Sequence, residues 1–515
     1  MAGHDSDVIV IGGGLTGLAA AFDLTLRGLA VEVIEADAQP GGVIRSRRVA
    51  LPDGEVLVEA GPNSATDSDP AVGALIDALD LAAQRVDVAV PAQRRYLLRA
   101  GRLQAAPAGP LSFIATPLFS ARAKWALLTE PFVPPRPAAA ADVDESVASF
   151  ITRRLGREWL DYAVEPLLGG IYAGDPARMS MAATLPQLAR WEAQHGSLLR
   201  GALAQWWAQR RSGPRGVDRD THPDSHTQTD TPGSTQARAR STSFSFRAGL
   251  QTLTDALARQ LPRVLCAARV DRLQREGDRF TVNVERQGER FTRRARAVLL
   301  AVPAHEAARL AAPLGAAGAV AAAALAQIEA PPVATVSVAL ARAQIAHPLD
   351  GFGFLAPRVE QSAVLGTLFA STMFAGRAPA DMALLTSFVG GRRDAPAALA
   401  PDAQLIERVC ASHAQLLGMR GAPLATLVQR WPRAIPQTDL GHHERLAAVD
   451  ALEAALPGVT WAGAWRDGAS IAQCIAGART RAARVAAQVP ATRLPARVRS
   501  ARPCAALLDG QITPV

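Results

Sequence analysis

The sequence predicts an α/β protein in which a parallel sheet, opened by a β-α-β unit, carries a second, mixed sheet and a largely helical insertion. Three observations predict it. Apolar runs stopped by glycine alternate with helix-period segments at the N-terminus, the stretch from about 90 to 210 turns mostly helical, and strand-like runs recur between 269 and 389. With 515 residues, 49% of them hydrophobic and 20% charged, the chain can fill two or three domains, each with its own core.

Taken in order, Asp7–Gly12 reads as a buried strand, and Leu15–Arg27 as a helix with Leu15, Leu18, Ala19, Phe22 and Leu26 on one face. Ala30–Glu35 is a second strand, so the unit implies a parallel sheet with a right-handed crossover. Ala71–Leu81, Val143–Leu160 and Leu185–Gln209 have helical periodicity. Residues 211–243 are Asp, Thr, Ser, Pro, Gly and Arg with almost nothing to bury, which predicts a disordered loop. Arg269–Leu273 and Arg279–Arg286 form a hairpin around Glu276-Gly277-Asp278, and Ala295–Pro303 is another buried strand. Leu310–Ile328 is uncharged, but its alanines, Pro313 and two glycines make it an ordinary helix and not a membrane span. Val333–Ala341, Val364–Ala370 and Leu384–Val389 supply the second sheet, and Asp402–Leu417 and Ile471–Ala487 are helices. The tail after Pro490 reads as loose.

Fifty-five basic residues against 47 acidic ones leave a net charge of +8. That modest excess suits anionic lipid or an acidic small molecule. With 5% aromatic residues and scattered arginines it does not make a nucleic-acid surface. Cys266, Cys410, Cys474 and Cys504 form no CxxC pair, so neither a metal site nor a disulfide framework is expected. Met1–Asp7 has no signal-peptide pattern. Lys124, the one lysine, is a poor candidate for Schiff-base chemistry.

Gly12-Gly13-Gly14-Leu15-Thr16-Gly17 lies between strand and helix. Gly12 permits the tight turn, Gly14 lets backbone approach a pyrophosphate, and Gly17 lets helix pack on strand. The free N–H groups of the helix start face the phosphates. Glu35, followed by Ala36, ends the second strand where a carboxylate accepts from a ribose 2′-OH and disfavours a 2′-phosphate. The pattern predicts dinucleotide binding.

The chain continues Pro40-Gly41-Gly42-Val43-Ile44-Arg45, and near its end carries Thr460–Trp465 and then Arg466–Ile471 opening a helix. These segments resemble the glutathione-reductase-type FAD proteins of the amine oxidase superfamily. The resemblance implies a Rossmann FAD domain with a mixed-sheet substrate domain of the p-hydroxybenzoate-hydroxylase kind. Gly42 and Arg45 would lie along the flavin side of FAD. Ala469, Ser470 and Ile471 would sit at the flavin edge, where a helix N-terminus meets the negative charge of the reduced ring.

Further segments sharpen the resemblance: Glu59-Ala60-Gly61-Pro62-Asn63-Ser64, Glu165–Pro176, Phe244–Leu253, Gly351–Leu355 and Leu365–Phe369. Together they are similar to the oxygen-dependent protoporphyrinogen oxidases over Asp7 to about Ala487. The resemblance implies that Arg95, before Tyr96, pairs with a tetrapyrrole propionate. It places Leu355 and Leu368 on the ring faces, Phe388 in a stacking position and Gly170 beside the flavin. It gives Gly61 to Ser64, Val270 and Trp431 as FAD contacts, and no certain catalytic residue. The expected reaction is hydride transfer from a porphyrinogen to FAD, with molecular oxygen as acceptor and hydrogen peroxide released. Three rounds would take protoporphyrinogen IX to protoporphyrin IX in haem biosynthesis.

The expected organisation is an FAD-binding part in three pieces (1–90, 244–305 and 431–490), the insertion at 91–210, the loop at 211–243, the substrate sheet at 306–430 and the tail at 491–515. The apolar stretches 113–132 and 185–209 suggest a peripheral contact with the inner membrane on the cytoplasmic side. A homodimer and hand-off to ferrochelatase are implied by the family. Three alternatives stay open: a coproporphyrinogen III oxidase of the same family, a flavin amine oxidase, and a flavin-free or NAD-dependent binding protein on the same fold. His195 reads as a helix-end surface residue.

Overall fold

The computed structural model describes residues 5–52, 54–137, 143–211 and 242–489. The expected loop at 211–243 and the tail therefore lie almost wholly outside the described residues.

The first sheet runs Val264–Leu265, Val31–Ile34, Asp5–Ile11, Glu289–Leu300, Arg279–Arg286, Ala268–Glu276, with Val459–Trp461 also pairing with Glu289–Leu300. Its nucleotide-binding part is parallel, and the Ala268–Arg286 hairpin is antiparallel. Val8, Ile9 and Val10 are fully buried because helices cover both faces, which explains a continuous apolar run instead of alternation. Leu15–Leu26, Pro70–Ala78, Gln251–Gln260 and Ile471–Gln488 pack on one face. Ala304–Ala311, Gly315–Ala326 and His442–Ala455 pack on the other. Each Val, Leu or Ile so buried contributes about 1.5–3 kcal/mol.

The second sheet runs Ala425–Trp431, Val333–Ala341, Met382–Gly390, Gly366–Leu368, Gly353–Leu355, Tyr96–Arg99, Arg102–Ala105. All its neighbours are antiparallel except Gly353–Leu355 with Tyr96–Arg99. The Tyr96–Ala105 hairpin comes from the otherwise helical segment and forms the edge under the insertion.

Four elements differ from the periodicity reading. Val143–Leu160 is not one helix, because Val147–Leu155 ends at Gly156, whose φ of +92° leaves the helical region. Leu185–Gln209 divides into Pro186–His195 and Leu198–Arg211. Gly196 (φ +68°) stops the first, and the Glu130 carboxylate caps the second through the N–H groups of Leu198 and Leu199. Around Pro313 and Gly315 the chain turns between Ala304–Ala311 and Gly315–Ala326, so Leu310–Ile328 spans two elements. Only Gly366–Leu368 of Val364–Ala370 is strand, and Ala370–Met373 is a helical turn.

Candidate active site

Gly12, Gly13 and Gly17 of the first turn are packed too closely for a side chain. A Cβ on Gly17 would stand 1.9 Å from the Gly12 carbonyl oxygen, and one on Gly13 would stand 3.0 Å from the Glu35 carboxylate. The Gly41-Gly42 turn bridges to the same strand-helix turn: Gly41 N–H donates to Gly13 O at 2.7 Å, and a Cβ on Gly42 would meet Gly14 Cα at 3.2 Å. Gly14 caps the helix Leu15–Leu26 without a side-chain acceptor, and no acid occupies its first turn. The N–H groups of Leu15, Thr16 and Gly17 therefore suit a pyrophosphate. Glu35 is buried; its carboxylate accepts from Gly13 N–H and, at 2.7 Å, from Asp37 N–H. Ala36 is exposed beside it.

The other expected cofactor residues fall as follows. Arg45 folds onto its own loop, donating to the carbonyls of Gln39 and Pro40. Gly61 passes so near Val43 that a Cβ would lie 1.9 Å from its carbonyl oxygen. Pro62 and Ser64 are half-buried, and Asn63 donates to Gly61 O at 3.1 Å. Val270 is buried in the core beneath the sheet, two residues from Ala268, whose N–H donates to Glu35 O. Ala469 is half-buried and Ser470 exposed; the Ser470 hydroxyl caps the helix that Ile471 opens, accepting from Gln473 N–H. That helix lies along Leu15–Leu26.

The expected substrate residues share one face of the second sheet. Gly366 pairs with Leu355 on one side and Phe388 on the other, and Phe388 pairs with Thr335, so the four form one row. Gly366 has no side chain of its own in this row, and Leu355 leans over it, with Cδ2 3.2 Å from where a Cβ of Gly366 would be. Leu368 is in the next row on the same face, between Gly353 and Thr386. The row ends at the nucleotide cradle: the Thr335 hydroxyl and Trp431 Nε1 both donate to Ala60 O, at 3.2 and 2.9 Å. The apolar face therefore begins where the Gly61 turn stops.

A helix roofs this face. Glu165–Tyr172 sets Gly170 against Leu355, and Leu167 and Ile171 expose their side chains. Those two were missed by the sequence reading, although their spacing to each other and to Gly170 marks one helix face.

At the sheet edge the two adjacent arginines separate. Arg94 pairs with Asp350, which also accepts from the Tyr96 hydroxyl at 2.6 Å. That hydrogen bond, first among the causes, holds the Asp350 carboxyl below the ordinary range, and burial above all raises Tyr96. Arg95 is exposed, pairs with no carboxylate among the described residues and stacks over Phe352 at 5.3 Å. Phe352 and Leu368 belong to one apolar cluster, so Arg95 stands beside the ring-facing row. Lys124 donates its ammonium to the carbonyls of Ile114 and Thr116 inside the insertion. His195 is exposed at its helix end.

Below the cradle, Glu59 and Arg377 form a buried pair at 2.9 Å. Glu59 also accepts from the Ser46 hydroxyl and from Leu250 N–H. Burial raises the carboxyl and lowers the guanidinium. The pair ties the Ser46–Glu59 hairpin to the segment after Phe374, and so the cradle to the second sheet.

A glycine-rich dinucleotide-binding turn joined to a second, mixed sheet is the frame of a flavin-dependent redox enzyme. The model of the flavin-containing amine oxidoreductase family matches residues 15–490, and the chain belongs to that family. It is an FAD-dependent oxidoreductase. Within the family it is 31% identical to protoporphyrinogen oxidase 2, chloroplastic/mitochondrial, of Arabidopsis thaliana, over 91% of each chain. It is 33% identical to a coproporphyrinogen III oxidase of Propionibacterium freudenreichii, over 92% of this chain and 89% of the relative. A crystal structure provisionally assigned as a protoporphyrinogen oxidase, from Exiguobacterium sp. 255-15, shares the fold with a TM-score of 0.73 at 24% identity, covering 94% of this chain and 98% of the other.

Proposed function

We propose that the protein oxidises protoporphyrinogen IX to protoporphyrin IX, six electrons in all, with molecular oxygen as acceptor and hydrogen peroxide as the second product. The observation that carries this is the placement of Arg95, a cation without a carboxylate partner among the described residues, beside an apolar row that runs to the nucleotide cradle. A porphyrinogen is an apolar macrocycle with acidic arms, and it needs just these two surfaces.

Bound FAD would supply the two-electron acceptor chemistry, with oxygen as the final acceptor. The chain's residues do the positioning. The N-terminus of Leu15–Leu26 and the Gly41-Gly42 turn would hold the pyrophosphate, and Glu35 the ribose. Arg95 would bind a carboxylate arm, and Leu355, Leu368 and Phe388 would line the ring, with Leu355 turning from its contact with Gly170 to admit it. Holding a meso C–H bond toward the cradle is the main source of rate, since no nucleophile is required. The ring proton leaves to solvent. Lys124, tied to two carbonyls in the insertion, takes no part, which argues against amine oxidation.

Leu111, Ile114, Trp125, Phe132, Trp206 and Trp207 are exposed on helices of the insertion. Glu130 links the Phe132 turn to the tryptophan helix, and Lys124 links Trp125's helix to the Ile114 segment. This patch would rest on a membrane, consistent with the absence, among the described residues, of a helix long and apolar enough to cross one. Sedimentation with anionic liposomes tests that contact.

Anaerobic mixing of the flavoprotein with protoporphyrinogen IX tests the reaction. Flavin bleaching is the expected result. Bleaching by an amine and not by any porphyrinogen would overturn it.

A further inference from the structure

Arg377 stands where three parts of the molecule meet: the nucleotide cradle, the segment that carries Arg95, and a small sheet of Ala65–Thr66, Ser243–Phe246 and Arg85–Asp87. It follows the helical turn Ala370–Met373 and is 3% exposed, so whatever it does passes through its neighbours. Its Nη2 reaches Glu59 at 2.9 Å and donates to the Ser245 hydroxyl at 2.5 Å, and its carbonyl accepts from Leu57 N–H at 2.9 Å. The guanidinium also lies over the Phe374 ring, 5.5 Å from the centroid.

One arm of this junction runs to the cradle. Glu59 precedes the Ala60–Ser64 turn, and its carboxylate accepts from the Ser46 hydroxyl and from Leu250 N–H. The Ser46 oxygen in turn accepts from Gln251 N–H, so Glu59 holds the start of the helix Gln251–Gln260 both directly and through Ser46. Thr254 on that helix backs the Gly41-Gly42 turn: a Cβ on Gly41 would stand 3.1 Å from its hydroxyl oxygen. A displaced Glu59 therefore shifts two of the turns that the cofactor needs.

The other arm runs to Arg95. Phe374, Met373 and Ala92 form a buried apolar cluster against which Phe352 and Leu368 pack, and Arg95 stacks on Phe352. The backbone is tied in as well. Ala89 N–H donates to Met373 O at 3.0 Å, Phe352 N–H donates to Arg94 O at 2.7 Å, and Ser245 pairs with Val86. Residues 86–95 thus rest on the turn that Arg377 closes. Apolar packing tolerates small slips, whereas a rigid guanidinium fork facing a buried carboxylate penalises them, so the pair fixes the geometry of both arms.

We propose that Arg377 is a positioning residue shared by the two halves of the site. Through Glu59 it sets the turns that take FAD, and through Phe374 it sets the segment that presents Arg95 to a substrate carboxylate. The second half rests on the porphyrinogen reading.

Arg377→Met keeps the length of the side chain and removes the fork. The FAD Kd, read from flavin fluorescence released on dilution of the holoprotein, is expected to rise about tenfold. With FAD saturating, KM for protoporphyrinogen IX should rise about fivefold while kcat stays within about twofold. Phe374→Leu cuts the second arm alone, so KM should rise several-fold at an unchanged FAD Kd. In Glu59→Gln/Arg377→Met both charges are gone, so Tm should return towards wild type while Kd and KM stay raised. This variant also covers the case that Arg377→Met does not fold. If Kd and KM return with Tm, the pair only holds the fold and the positioning role is overturned. A shift in just one of the two constants in Arg377→Met would overturn the shared role. Wild-type holoprotein that oxidises no porphyrinogen would overturn the porphyrinogen reading and the Arg95 half with it, and the FAD Kd of Arg377→Met would still decide the cradle half.

Discussion

Gly170 and Leu355 meet where the helix Glu165–Tyr172 crosses the second sheet: a Cβ on Gly170 would stand 2.3 Å from Leu355 Cδ2. The obstructing atom ends a flexible side chain, so Gly170→Ala leaves the fold intact and turns Leu355 into the ring's place. Alanine also favours the helix by up to about 1 kcal/mol. KM for the porphyrinogen is expected to rise roughly tenfold, while Tm holds or increases and FAD content stays constant.

Arg94 and Arg95 are adjacent, but only Arg94 is consumed, by Asp350. Arg95→Ala should therefore raise KM at least tenfold with FAD content and Tm unchanged, a loss typical of a charge-assisted carboxylate contact (about 1.5–3 kcal/mol). Arg94→Ala, an exposed pair in water, should leave KM near wild type. Equal KM effects from the two substitutions would mean that the anchor is shared.

Gly17 sits against the Gly12 carbonyl, a backbone atom that cannot move aside as a side chain can. Gly17→Ala must push the helix Leu15–Leu26 off its strand and spread the phosphate-binding turn. Flavin absorbance per polypeptide is expected to fall several-fold, and added FAD should restore it only partly.

Glu130 is fully buried with Arg154 and also receives the Ser197 hydroxyl and the Leu198 and Leu199 N–H groups. Removing one partner of such a pair leaves a buried charge, which costs about 3–5 kcal/mol. In Glu130→Ala, limited proteolysis should cut first in the insertion, between 110 and 211. Liposome binding should drop, and flavin should remain bound.

Legibility in the sequence followed the range of the forces involved. The β-α-β unit could be read because a parallel sheet covered on both faces demands unbroken apolar strands, and because the glycines of Gly12 to Gly17 answer to local backbone sterics. Strand Val333–Ala341 and helix Asp402–Leu417 have the bounds the periodicity gives. Leu185–Gln209 was read as one helix because the cap of its second half, Glu130, is supplied from 68 residues away. The same limit hid the division of labour between Arg94 and Arg95, since Asp350 lies 256 residues from Arg94.

His413 gives the fold a pH dependence with a known sign. Its ring is fully buried behind the substrate sheet, with Nε2 2.9 Å from the Ser387 hydroxyl, which in turn lies 2.8 Å from that of Thr367. Burial pushes its pKa down to about 4. The unfolded chain takes up a proton at about 6.5, which the native ring refuses until about 4, so the unfolded state binds more protons between these values and stability falls as the pH is lowered. The loss begins near pH 6.5 and is complete below about 4, roughly 3 kcal/mol for this residue. His442, lowered to about 4 chiefly by burial, adds a loss of the same sign. Glu59 and Asp439, raised by burial, act in the opposite direction as they protonate in the native state. Comparing urea midpoints of wild type and His413→Gln from pH 7 to 4 removes these shared contributions. The wild type should lose more stability than the variant across that window, and parallel curves would show that His413 already carries its proton in the native state.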